Sequence, residues 1–276
     1  MSSFQIEQRR DEIKCVADFV SAISKLRREE SNRKIWYRGH SKSSYKLVPS
    51  VGRPQMYMGK ELTFNFKDER HLLHRFRRRA YLTVNRIMPA GEAIFLARDH
   101  GLPTRLLDWT ANALYALYFA CYENVRKDGK VWAMTYFSDE NYFDSLYVIA
   151  KRENEKELFA WPLERITHPS IKYALKIIHP FYNSPRLLAQ DGAFTFHYDP
   201  WKPIECLSGR HFIRQTLDIE KLYWWDIPAA RKQKIIEDLS GLGITHRIMF
   251  PDLDGMAKSI LDTEVLWSPK SKASPS

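Results

Sequence analysis

The stretch from Leu114 to Val125, LYALYFACYENV, constrains this 276-residue chain more than any other. It places Leu114, Leu117, Tyr118, Cys121 and Val125 at i, i+3, i+4, i+7 and i+11, the spacing of a helix with a wide apolar face. Glu123 and Asn124 interrupt it well before the roughly 18 apolar residues a membrane span needs. The segment is therefore expected as a central helix of a globular core, with Thr110 as its N-cap. With 44% hydrophobic and 28% charged residues, the chain has the balance of one large domain, and no interior repeat or glycine- or serine-rich linker divides it.

Around that helix the pattern is mixed. Apolar positions at helical spacing predict helices over Ile13 to Glu30, Lys67 to Val84 and Pro89 to His100, and a further helix runs from Pro228 to about Leu239. A last helix is expected from Pro251 to about Leu261. Short β-branched and aromatic runs predict strands at Ile35 to Gly39, Val131 to Phe137, Ala174 to His179, Ala193 to His197 and His211 to Leu217. Thr104 to Thr110, behind Gly101 and Pro103, reads as a turn. No GxGxxG or GxxxxGK[ST] follows a strand, which disfavours a doubly wound nucleotide fold. The expected class is α+β, a single compact domain of mixed short strands and several helices.

Lysine and arginine exceed aspartate and glutamate by ten, with a pI near 9.4, so anionic partners are drawn to the surface. RNA, DNA or an acidic protein all suit that sign. The N-terminus MSSFQIEQRRDEIK lacks the apolar core of a signal peptide, and the three cysteines form no CxxC pair. A cytoplasmic location without membrane contact is the expectation. No HExxH or comparable ligand spacing occurs, so no metal is expected, and no GxSxG elbow or activated cysteine points to a hydrolase.

Three clusters carry possible chemistry. The densest, Arg98 to Thr110 (RDHGLPTRLLDWT), gathers two arginines, a histidine and carboxylates in one short segment; alternatively, Asp108 caps the following helix and pairs with Arg105. In the second, Trp36-Tyr37-Arg38-Gly39-His40, an arginine at a strand end can present its fork to a phosphate, or is an ordinary edge arginine on a tight turn. In the third, Gln190 precedes a glycine turn, where it can bond a ribose or serve as a loop residue. Separately, Arg70, Arg75, Arg77, Arg78 and Arg79 fall within ten residues, as a nucleic-acid patch or a solvated helix face. Tyr223, Trp224 and Trp225 can stack on bases or belong to the core.

In order and wording these clusters resemble the FRG domain family, which is marked by an aromatic-Arg-Gly motif, here Trp36-Tyr37-Arg38-Gly39. The resemblance continues through Leu47, Pro49, Ser50 and Arg53, HGLPTRLLDWT (100–110), Asn112, ALYFA (116–120), QDGAF (190–194) and FPDLDG (250–255). It spans Ile35 to Leu261, so the FRG domain is expected over 35–266; the helical spacing before it gives a helical lead-in over 1–34, and the polar, proline-bearing end gives a disordered tail over 267–276. A distant likeness to ADP-ribosyltransferases implies an enzyme using NAD as substrate, an effector of the toxin or antiviral-defence kind acting on a macromolecule, with a regulatory or antitoxin partner. By that resemblance Arg38, Arg105, Asp108 and Gln190 are the catalytic candidates, and Tyr37, Arg38, Gly39, His40, Thr104 and Thr110 hold the NAD. The glutamate that such transferases carry on a late strand has no counterpart as an ExE or QxE motif here. The alternatives are a non-catalytic nucleic-acid- or protein-binding module, and a metal-independent nuclease using His40 or His100.

Overall fold

In the stretch KIWYRGH the side chains alternate across a sheet: Ile35 and Tyr37 bury on one face and Trp36 on the other. This strand lies at the middle of a seven-stranded sheet in the computed structural model, which describes residues 5–136, 175–178, 185–207 and 219–267, the side chains of 263–267 aside. From edge to edge the strands are β1 (Gln5–Gln8), β9 (Ile219–Ile227), β6 (Gly129–Tyr136), β2 (Lys34–His40), β5 (Leu106–Thr110), β8 (Gly192–His197) and β7 (Leu175–Ile178). Among the described residues only β1 with β9 is a parallel pair. A separate hairpin joins β3 (Gln55–Tyr57) to β4 (Lys60–Leu62).

Eight helices accompany the sheet among the described residues, and the fold is α+β. They are α1 (Val16–Glu29), α2 (Phe66–Val84), α3 (Ala90–Asp99), α4 (Ala113–Cys121), α5 (Pro185–Ala189), α6 (Ala229–Gly241), α7 (His246–Met249) and α8 (Leu253–Trp267). Helices α1, α4 and α6 enclose one core with Tyr37, Val131 and Trp225 of the sheet. On the other face Trp36, Trp109, Trp132 and Leu222 form a second core. The third packs α2 and α3 onto Leu106, Phe194 and Phe196.

Helix α4 is central as the periodicity requires, but Asn112, not Thr110, caps it: the Asn112 side-chain oxygen accepts from the Leu114 amide at 2.9 Å. The expected turn over Thr104 to Thr110 is also corrected. Leu107 and Trp109 bury against one face of the sheet and Leu106 against the other, and that alternation makes Leu106–Thr110 a strand. The run IEKLYWWDI is likewise a strand, so Tyr223 and Trp225 belong to the core; Trp225 donates to Asp11 and Tyr223 to Glu30. Residues 5–29 supply both a strand of the sheet and a core helix, so the segment expected as a helical lead-in is built into the same body. The strand expected over His211 to Leu217 and most of the tail expected from residue 267 lie outside the described residues.

Gly39 explains how α4 reaches the sheet. A Cβ there would stand 2.0 Å from the Ala116 carbonyl oxygen and 2.6 Å from the Ala120 nitrogen, so the helix backbone occupies the place of a side chain. Gly39→Ala is expected to cost about 1–3 kcal/mol, read as a lower denaturation midpoint at unchanged slope.

Candidate functional site

Strands β2 and β5 are joined through one register pair, Tyr37 with Thr110. Beyond it they part, and a cleft of about 300 Å³ opens at the gap. The Arg38 guanidinium takes over the missing ladder contact: its Nη1 donates to the Asp108 carbonyl at 2.6 Å and to the Asp108 carboxylate at 3.3 Å. Arg98, at the end of α3, donates to the same carboxylate oxygen. Arg53 from the loop after β2 and Arg186 from α5 complete the polar side.

Four arginines therefore face one firmly held carboxylate. Among the described residues neither Arg53 nor Arg186 forms an ion pair; Arg186 instead lies over the Phe250 ring, 4.4 Å from its centroid. Burial, with Arg53 and Arg98 close by, brings Arg38 down to about 10 against the pull of Asp108. Burial and the neighbouring Arg98 also lower Arg53 and Arg186. Burial works to raise Asp108, but Arg98 and Arg38 outweigh it and hold the carboxyl below its usual range.

The opposite wall is aromatic. His246 stacks on Tyr122 at 4.8 Å and on Phe250 at 4.4 Å between ring centroids, and the Tyr118 hydroxyl meets His246 Nδ1 at 2.9 Å. Burial and then Lys258 lower the His246 pKa. The cleft thus sets a cationic floor beside a planar wall, which suits a phosphorylated ligand carrying a ring.

Of the residues proposed from sequence, Tyr37, Arg38, Gly39, His40, Asp108, Thr110 and Gln190 all border this cleft, so the three separated clusters converge. Their roles differ from the expectation in several cases. The Tyr37 ring is packed in the core, and burial raises its hydroxyl to about 12. Gly39 is required by the approach of α4. His40 accepts from Arg38 at Nε2, and burial followed by the charges of Arg38 and Arg53 keeps it neutral. Thr110 and Gln190 are ties: the Thr110 hydroxyl donates to the Gln190 carbonyl at 2.8 Å, and the Gln190 side-chain amide donates to the Met249 carbonyl at 2.9 Å.

Arg105 and Thr104 are corrected outright: neither borders the cleft. Arg105 is 1% exposed and grips the equally buried Glu69 of α2, because its side chain leaves the chain on the side facing α2. Thr104 is buried, and its amide donates to the Ser50 hydroxyl at 3.0 Å. His100 is exposed at the end of α3 and does not border the cleft. On α2, Arg70, Arg75, Arg78 and Arg79 are exposed, whereas Arg77 is half-buried and donates from Nε to the Met88 carbonyl at 2.7 Å.

Sequence reasoning placed Arg98 in the densest cluster without a role of its own, and gave no site role to Arg53 and Arg186 or to Tyr122, His246 and Phe250 as the wall. Arg53 and Phe250 did stand among the residues carrying the resemblance, and that was their available signal. Among the described residues no group of three or more His, Cys, Asp or Glu side chains is placed to hold a metal, and no helix is long and apolar enough to cross a membrane. In comparisons with known proteins, the sequence model of the FRG domain matches residues 33–129, which hold the Arg38 strand, Arg53, Arg98, Asp108 and α4. No curated protein and no solved structure matches.

Proposed function

We propose that this chain, a member of the FRG domain family, binds NAD by its diphosphate in the cleft and transfers ADP-ribose from it. One observation carries the reading: Arg38, Arg53, Arg98 and Arg186 line one cleft beside an aromatic wall, and Asp108 there pairs with only Arg38 and Arg98. Burial, with neighbouring guanidinium charges adding to it, depresses three of these arginines, and a diphosphate entering among them would offset that cost. Charge-assisted bonds from arginine forks would fix its position. A cleft of this size would admit part of a dinucleotide, and its lining favours the diphosphate over the arginines and a ring toward Tyr122 and Phe250.

The exposed basic face of α2 supports a macromolecular target of opposite charge, RNA, DNA or an acidic protein, approaching the same molecule. A nuclease is less well supported. His40 is buried and neutral with Nε2 engaged by Arg38, and His100 stands apart from the cleft.

The test is calorimetric titration of NAD and ADP-ribose with measurement of nicotinamide release. Arg53→Ala and Arg186→Ala are each expected to weaken binding by about tenfold to a hundredfold, the worth of one bond to a charged group, with little change in melting temperature. A folded wild-type protein that neither binds NAD nor releases nicotinamide would end this reading.

A further inference from the structure

A transferase of this kind needs a carboxylate that is free to act, and Asp108 is not: Arg98 and Arg38 both hold its Oδ2. Glu123 is differently placed. It borders the arginine cleft, and it also borders a second cavity of about 370 Å³ on the far side of Tyr122 and His246. The two cavities share these three residues, so Glu123 stands where they adjoin. Its side chain is exposed and makes no hydrogen bond or ion pair among the described residues.

Its backbone, by contrast, is anchored. Lys232 of α6, fully buried, donates its ammonium to the carbonyls of Ser41 at 2.7 Å and of Glu123 and Asn124 at 3.3 Å each. The end of α4 is thereby tied to the end of β2, which carries Arg38. A free carboxylate on a fixed backbone is what a proton acceptor in a transfer reaction requires. The second cavity gives an incoming nucleophile a separate approach, and Asp262 on its lining adds a second carboxylate, which accepts from the Tyr122 hydroxyl at 2.7 Å. Lys232 and Lys258 on the same lining balance Glu123 and Asp262, so the cavity carries no net formal charge and suits an acceptor group that arrives neutral and protonated, such as a hydroxyl.

We infer that Glu123 is the catalytic carboxylate of the cleft, taking the proton of a hydroxyl acceptor as ADP-ribose is transferred. This rests on the NAD reading above. The bond between ribose C1′ and the nicotinamide nitrogen breaks, and its electron pair leaves with nicotinamide. The acceptor oxygen forms the new bond to C1′, and its proton passes to the Glu123 carboxylate. Positive charge developing at C1′ is stabilised by the same carboxylate.

The test uses the full chain with NAD and methanol as a small hydroxyl acceptor, following nicotinamide and methyl ADP-ribose, with NAD affinity measured separately. Glu123→Gln is expected to bind NAD within about twofold of wild type while both products form about 10²–10⁴ times more slowly, and formate should restore part of the rate to Glu123→Ala. A Glu123→Gln rate equal to wild type overturns the assignment and leaves the NAD reading in place. Loss of NAD affinity and rate together, without recovery by formate, makes Glu123 structural and also overturns it. Wild-type protein that is folded yet neither binds nor consumes NAD defeats the underlying reading instead.

Discussion

Arg105→Ala should lower stability by about 3–5 kcal/mol, because it leaves a buried carboxylate without its partner. Glu69 and Arg105 are each 1% exposed. The carboxylate accepts from Arg105 Nη2 at 2.6 Å, from Nε at 3.0 and 3.1 Å and from the Arg105 amide at 2.9 Å. The rings of Phe66 and Phe196 lie 4.9 and 5.4 Å from the guanidinium carbon, so little water replaces what is removed. For a chain of this size the loss corresponds to a melting temperature lower by roughly 10 °C. Replacing both partners, as Glu69→Leu with Arg105→Met, should recover most of it, since neither buried charge then remains. Below its melting temperature the single variant should bind NAD as wild type does. A variant that kept its melting temperature and lost NAD binding would return Arg105 to the site.

The contrast between Arg105 and Arg98 shows what a sequence carries and what it withholds. Both belong to one stretch, and spacing gives them equal claim to a pocket. Which one enters it depends on the path of β5, whose alternation is partly concealed: Leu107 and Trp109 mark one face, while Asp108 and Thr110 share the other with Leu106. Pro103 and Asn112 flank only five such residues, so turn signals dominate. Helix α4 and strand β2 were legible because their apolar residues repeat at their own periods. Strand β1, QIEQ, is exposed throughout and owes its place to β9, which no local pattern announces. Arg186, Tyr122 and His246 reach the cleft from three distant segments, and that convergence belongs to packing.

Asp108→Ala should produce a protein whose stability depends on added anion. In wild type the carboxylate offsets Arg38 and Arg98, both largely buried, and lies near Arg53. Without it four arginines face one another, and the partly exposed pair suggests a loss of about 2 kcal/mol, below the range for a fully buried one. Pyrophosphate at a hundred times its Kd should return about 2.7 kcal/mol, so the melting temperature climbs steeply with pyrophosphate in the variant. Affinity for pyrophosphate should also rise by about tenfold, because Asp108 competes with it for the same guanidinium groups. The pH dependence follows from the same pairing. Asp108 has a folded pKa below its unfolded value of about 3.9. Its contribution is thus fully present above that value and is lost as pH falls through the lower folded one. The variant should lack this acid limb, which a comparison of melting temperatures between pH 2 and 6 in phosphate-free buffer measures. A variant that binds pyrophosphate more weakly than wild type would mean that Asp108 helps to hold the anion, and the arginines would then have to be arranged by it rather than offset by it.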